Sequence, residues 1–140
     1  MLNEQFIPVK IHIKEQPAVF QRYGAQWTPT LIVLDPALAG TERYRFEGFL
    51  PADDFLAQLE MGLARVAFER GSWADAEERF RRITREYPNT DAAPESLYWA
   101  GVARYKATDD AGALAETARQ FERAYTDTSW AKRASVWGSR

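Results

Sequence analysis

The sequence predicts an α/β unit followed by an all-α array of paired helices, and three observations carry that expectation. Between Phe6 and Gly48, apolar residues alternate with polar ones or run together in a short block, as strands require. From Pro51 to Trp137 they recur three and four apart, as amphipathic helices require. Those helices come in pairs that resemble one another at a period of about 38 residues, the mark of a repeat array.

In "FIPVKIHIK" the odd positions Ile7, Val9, Ile11 and Ile13 are apolar, while Lys10, His12 and Lys14 are polar. This predicts a strand over 6–13 with one buried face. "QPAVFQRYGA" predicts a helix with Pro17 in its first turn, Val19, Phe20 and Tyr23 inward, and Gly24 as its stop. "TLIVL" is a continuous apolar run, expected of a strand covered on both faces. "DPALAG" is a turn, and "TERYRFEGFL" alternates through Tyr44, Phe46 and Gly48 as a neighbouring strand. Strand, helix, strand and a further strand after a short turn imply a mixed sheet with an antiparallel edge.

Beyond Pro51 no strand pattern remains. "PADDFLAQLEMGLARVAFERG" sets Phe55, Leu56, Leu59, Leu63 and Val66 along one stripe, and Gly71 ends it. Asp53 and Asp54 fall in the first turn, where the helix dipole favours negative charge; capping, not metal or acid–base chemistry, is the expected role. "SWADAEERFRRITREYP" aligns Ala76, Phe80, Ile83 and Tyr87, and Pro88 stops it. "DAAPESLYWAGVARYKA" and "DAGALAETARQFERAY" repeat the pair, with Asp109 and Asp110 expected to open the second helix, and "SWAKRASVW" adds a short last one. The expected division is 1–60 and 61–140, with a helix of about 52–70 shared by both halves.

Composition excludes several function classes. Lys and Arg are interspersed with Asp and Glu, the net charge is only −2, and no nucleic-acid partner is expected. No apolar run approaches the roughly 20 residues that cross a bilayer. "MLNEQFIPVK" lacks the pattern of an export signal, which makes the cytoplasm the expected location. The absence of cysteine removes disulfides, thiolate metal sites and thiol nucleophiles. No cofactor or metal is expected.

With these segments in hand, "FIPVKIHI", "FQRYGAQWTPTLIVLD" and "RFEGFLPADDFLAQLE" together resemble the later portion of a thioredoxin-like fold, over roughly residues 3–60. The resemblance implies that Pro29 is cis and that the backbone beside it pairs with an extended segment of a partner. The family's opening strand and its helix bearing Trp-Cys-x-x-Cys have no counterpart. "MLNEQF" is similar to the tail of that helix, which places Met1 in mid-domain. The missing strand would lie between the strands of 6–13 and 30–34. Either those two pair directly, another chain supplies the strand and yields a homodimer, or the sequence is a piece of a longer protein, the outcome favoured here. "GSWADAEERFRRITREYP" resembles a tetratricopeptide repeat through Gly71, Trp73, Ala76, Phe80 and Pro88, and "YPNTDAAPESLYWAGVARY" is similar to repeat junctions of bacterial cell-envelope assembly proteins. A second, degenerate repeat carries Asp109 at the Gly position and Thr126 at the Pro position. The combined architecture resembles that of bacterial redox-linked holdase chaperones.

Candidate site residues follow from these patterns. Thr28 and Pro29 are candidates for holding an extended backbone by strand addition, against the plainer role of shaping the turn. Trp27 is either a stacking surface or a cover for the sheet edge. The resemblance to repeats puts Arg65, Phe68, Trp99, Ala103 and Lys106 on a groove, of which Arg65, Trp99 and Lys106 are the partner-binding candidates. For Trp99 the competing role is core packing. Trp73, Phe80, Tyr87, Tyr105 and Phe121 are expected to pack, and Arg79, Arg81, Arg82 and Arg85 to pair with Glu77, Glu78 and Glu86 on a solvated face. His12 lacks a partner for general-base or ligand chemistry. The expected function is a non-catalytic protein-interaction module, possessing a groove for a peptide or helix of a partner. The alternative is the remainder of a thiol-disulfide oxidoreductase.

Overall fold

A computed structural model describes residues 2–139, so Met1 and Arg140, and the expectation about where Met1 sits, lie outside the described residues. Helix α1 spans Leu2–Gln5 and α2 spans Pro17–Arg22, the latter starting on its proline and ending before Gly24 at φ 62°. Strands β1 (Thr30–Asp35) and β2 (Thr41–Glu47) flank a 3-10 turn at Pro36–Leu38. Five helices follow: α3 (Ala52–Glu69), α4 (Trp73–Glu86), α5 (Ala92–Thr108), α6 (Gly112–Arg123) and α7 (Ser129–Gly138). The order of an α/β unit and then an all-α region is the predicted one.

The sheet is narrower than expected. It has two antiparallel strands, β1 and β2, so it is not mixed. Residues 6–13 form no strand; they run as unpaired chain into a turn at 13–15. Alternation shows which face of a strand would be buried, but a strand also needs a neighbour for its N–H and C=O groups. Among the described residues none adjoins this segment, nor does it pair directly with β1. Its apolar side chains are correspondingly bare, with Ile7 89% and Val9 75% exposed. "TLIVL" is covered unevenly, since only Val33 and Asp35 of β1 are fully buried.

The pairing of β1 with β2 shifts by one residue. Val33 faces Tyr44 and Leu34 faces Glu42, which leaves Arg43 as the extra residue of a bulge. A bulge bends its strand and re-aims the side chain. Here it lets Arg43 and Tyr44 both approach α3: Arg43 Nη1 lies 4.0 Å from Glu69, and Tyr44 Oη donates to Gln58. Phe46, on the same face as Tyr44, meets Phe55 edge-on at 5.8 Å.

Helix α3 is the common wall of both halves. One side lies on the sheet, where Gly62 comes so close to Val33 that a Cβ would sit 2.6 Å from its Cγ2. The other packs on α4 and α5 in a core of Ala57, Met61, Ala64, Phe80, Ile83 and Ala100. So many alanines let helix backbones approach closely, while Phe80 and Ile83 fill the centre. The second pair repeats the device, as Gly101 of α5 abuts Thr117 of α6. Gly71 (φ 76°) closes α3, and Asp109 (φ 55°) closes α5 in the same left-handed conformation. Asp109 therefore ends a helix, contrary to the expectation that it opens one; Asp110 does serve the next helix, accepting from Gly112 N at 2.8 Å. Asp53 and Asp54 occupy the first turn of α3 without a side-chain cap bond. The Tyr125 hydroxyl donates to the Pro88 carbonyl at 2.8 Å and ties the two pairs together.

Candidate functional site

The six partner-binding candidates fall in two separate places. Trp27, Thr28 and Pro29 lie on the loop before β1, and Arg65, Trp99 and Lys106 on the helical half.

The loop forms one wall of an apolar cleft of about 1200 Å³. Residues 6–11 and Ile13, with Val19 and Phe20 of α2 and Leu63 and Val66 of α3, also line it. The Thr28–Pro29 peptide bond is cis. Trp27 is 66% exposed, and its carbonyl accepts from the Thr30 hydroxyl at 2.6 Å. The edge of β1 away from β2 carries no partner among the described residues. His12 sits in the turn at the far end, where its Nδ1 accepts from Lys14 N at 3.2 Å.

On the helical half, cations and aromatic rings form a connected strip. Arg65 lies 4.6 Å over the Trp99 ring and 5.7 Å over Phe68. Phe68 meets Trp99 edge-on at 5.4 Å and Trp73 edge-on at 5.0 Å. Lys106 Nζ stands 5.8 Å over Trp73 and ends the strip. Spacing explains the assembly: Arg65 and Phe68 are three apart on α3, Trp99 and Lys106 seven apart on α5, so each pair shares a face. Lys106 is exposed, whereas Arg65, Phe68, Trp73 and Trp99 are half-buried. Ala103, expected on this surface, is fully buried in the core. Trp99 packs against the central core, its competing role, and also lines a pocket.

That pocket, about 410 Å³, opens between β2 and the helices α3 and α5. Arg65, Trp99 and Glu95 line its helical side, and residues 42–45 its strand side. Arg45 is fully engaged there, holding Glu42 through Nε at 2.7 Å and donating to the Tyr23 carbonyl. Arg43 is not. Its Nε is buried without an acceptor, a condition that costs about 1–3 kcal/mol when a donor is left bare. Burial pushes the Glu95 carboxyl above its usual range, against the pull of Arg65 and the Trp99 indole. The Trp99 Nε1–H lies beside that carboxyl, yet makes no hydrogen bond of ordinary geometry. Burial likewise raises the Tyr44 phenol.

The residues of β2 and Glu95 had no signal in the sequence that set them apart. Arg43 and Arg45 look like the polar face of an edge strand, and the bulge that turns Arg43 inward depends on pairing across the sheet. Elsewhere the charged face of α4 is as expected, with Arg81–Glu77 at 2.7 Å, Arg82–Glu86 at 3.1 Å and Arg85–Glu78 at 2.7 Å. Arg79 instead reaches the buried Glu60 at 3.2 Å. No three His, Asp or Glu side chains gather as metal ligands among the described residues, and no helix is long and apolar enough to cross a membrane.

Residues 2–62 match the family model of a thioredoxin-like domain, and residues 57–90 match that of a tetratricopeptide repeat. No curated protein and no solved structure matches the chain. The two matched segments overlap within α3. The chain thus carries a thioredoxin-like domain followed by a tetratricopeptide repeat, an arrangement that supports a protein-interaction or adaptor scaffold.

Proposed function

We propose that the chain is a non-catalytic adaptor that captures an extended peptide of a partner along the strip from Arg65 to Lys106. The observation that carries this reading is the unbroken succession of Arg65, Trp99, Phe68, Trp73 and Lys106 across α3, α4 and α5. Half-buried aromatic rings offer contact area at little entropic cost, and flanking cations fix a peptide through its carbonyls and acidic groups. With no cysteine in the chain, thiol–disulfide exchange has no nucleophile, so contact is the contribution left to the thioredoxin-like half.

The test is selection of random 12-residue peptides displayed on phage against the immobilised chain, with selected peptides remeasured by fluorescence anisotropy. Lys106→Glu reverses the charge at an exposed position and is expected to weaken binding about tenfold. Peptides that bind the variant equally well, or no enrichment at all, would overturn the reading. In the same preparation no dithiol-dependent reduction of insulin is expected; turnover there would overturn the non-catalytic part.

A second reading is favoured by the cleft beside β1. Residues 6–13 carry strand patterning with no neighbour, and β1 carries an edge with no neighbour. Each copy therefore holds both halves of a strand-to-edge pairing, and two copies can complete one another as a homodimer.

A further inference from the structure

We propose that the pocket between β2, α3 and α5 is a subsite for one carboxylate group of the captured peptide. This deepens the adaptor reading and relies on it only for the peptide as the source of the group.

Around this pocket donors outnumber acceptors. The Arg45 guanidinium is consumed by Glu42 and by the carbonyls of Tyr23 and Gly24. The guanidiniums of Arg43 and Arg65 share Glu69 at long range, 4.0 Å and 3.5 Å, and Arg65 also attracts the Glu95 carboxyl. Arg43 Nε has no acceptor, and Trp99 Nε1 lies beside the Glu95 carboxyl without a hydrogen bond of ordinary geometry. Guanidinium and indole nitrogens cannot accept hydrogen bonds, so another donor would not satisfy this set. What it can still take is one more acceptor with negative charge. A carboxylate fits better than a neutral carbonyl because its two oxygens match the planar fork of a guanidinium and the bonds are charge-assisted. It also fits better than phosphate. A doubly charged group would sit against Glu42 and Glu95, whereas a single charge balances the excess of three lining guanidiniums, Arg43, Arg45 and Arg65, over those two carboxyls. The position is apt for a peptide on the strip: Arg65 and Trp99 belong to both the strip and the pocket wall, so a chain lying on the rings can turn an acidic group into the pocket.

The Trp99 indole proton is a direct reporter, assigned in a ¹H–¹⁵N spectrum through its loss in Trp99→Phe. Four probes at matched ionic strength separate the possibilities: N-acetylglycine for a terminal carboxylate, N-acetylglutamate α-amide for a side-chain one, N-acetylglycinamide as the neutral control, and inorganic phosphate. A saturable shift of the Trp99 indole with at least one carboxylate probe is expected, and whichever probe acts identifies the source. Arg43→Gln is expected to weaken it about tenfold, and Arg65→Gln serves as a second variant with the same expectation, each confirmed folded by its spectrum. The proposal is overturned by a carboxylate response no larger than that of the amide, by a stronger response to phosphate, or by unchanged affinity in both folded variants. Peptide capture that still depends on Lys106 would leave the adaptor reading standing in any of those cases.

Discussion

Asp35 ends β1 fully buried, and three hydrogen bonds meet its carboxylate. Arg70 donates from Nε at 2.9 Å and from Nη2, and Ala37 N donates at 3.0 Å. The bidentate pair with Arg70 is the largest reason that the carboxyl titrates below its usual value of 3.8; burial opposes it. A folded-state value below the unfolded one means stabilisation that is present above about pH 4 and lost as pH falls through the depressed value. Asp35→Asn is therefore expected to lower Tm at pH 7, with the deficit against wild type shrinking as the pH drops below 4. Thermal melts of both proteins from pH 7 to pH 2.5 check this, and a deficit that stays constant would show that the pair acts through shape alone. In the sequence Asp35 reads as the first residue of a turn, and it is one. Its partner stands 35 positions on, at the end of a helix, and no local pattern links them. Trp99 teaches the same lesson from the other side. In the sequence its binding and packing roles could not be told apart, but its packing against Phe68 and Tyr98 makes a loss well above 1 kcal/mol the expectation for Trp99→Ala. Lys106 is the better probe of binding for that reason.

Among the elements, the helices were legible almost to the residue because the evidence is local: a 3.6-residue stripe, with Gly71 and Pro88 stopping α3 and α4 and acids in the first turns of α3, α4 and α5. Strands β1 and β2 were legible as a hairpin for similar reasons, through their alternation and the "DPALAG" turn. The segment 6–13 was not, since a strand's last requirement is a neighbour and that lies outside the strand. The contact of α3 with β1 is a further feature that only packing reveals. Gly62 looks like an ordinary weak point in a helix, where alanine usually gains about 1 kcal/mol. In place, a Cβ there meets Val33 Cγ2 at 2.6 Å, and overpacking of this kind costs about 1–3 kcal/mol. Gly62→Ala is thus expected to destabilise by about 1 kcal/mol net. In a Val33→Ala background, where the opposing methyls are gone, the same substitution is expected to be neutral or stabilising. Urea melts of the four proteins in this cycle give the coupling directly, and a zero coupling would mean that helix and strand adjust independently.

For the molecule as a whole, α3 decides how the halves communicate. It places Gly62 on the sheet and Ala57, Met61 and Ala64 in the helical core, so the thioredoxin-like half is held by a wall that the repeats keep rigid. That support lets β1 and β2 stand as a mere pair, although two strands alone are marginal in water. It does nothing for residues 6–13, which leave Ile7, Val9, Ile11 and Ile13 exposed beside the open edge of β1. Such an edge next to a bare apolar segment tends to be covered by another strand. If a second copy supplies it, the bond is reciprocal, and association should depend on the apolar positions of the segment without involving the strip on the repeats. Multi-angle light scattering across a hundredfold dilution is expected to show a concentration-dependent shift from twice the monomer mass towards the monomer. Val9→Lys and Ile11→Lys, which place charge where the pairing would bury apolar side chains, are expected to hold the chain as a monomer, with the helical signal in circular dichroism unchanged. A wild-type monomer throughout the dilution, or a dimer that both variants leave intact, would remove the strand-exchange reading while leaving peptide capture by the repeats to be judged on its own.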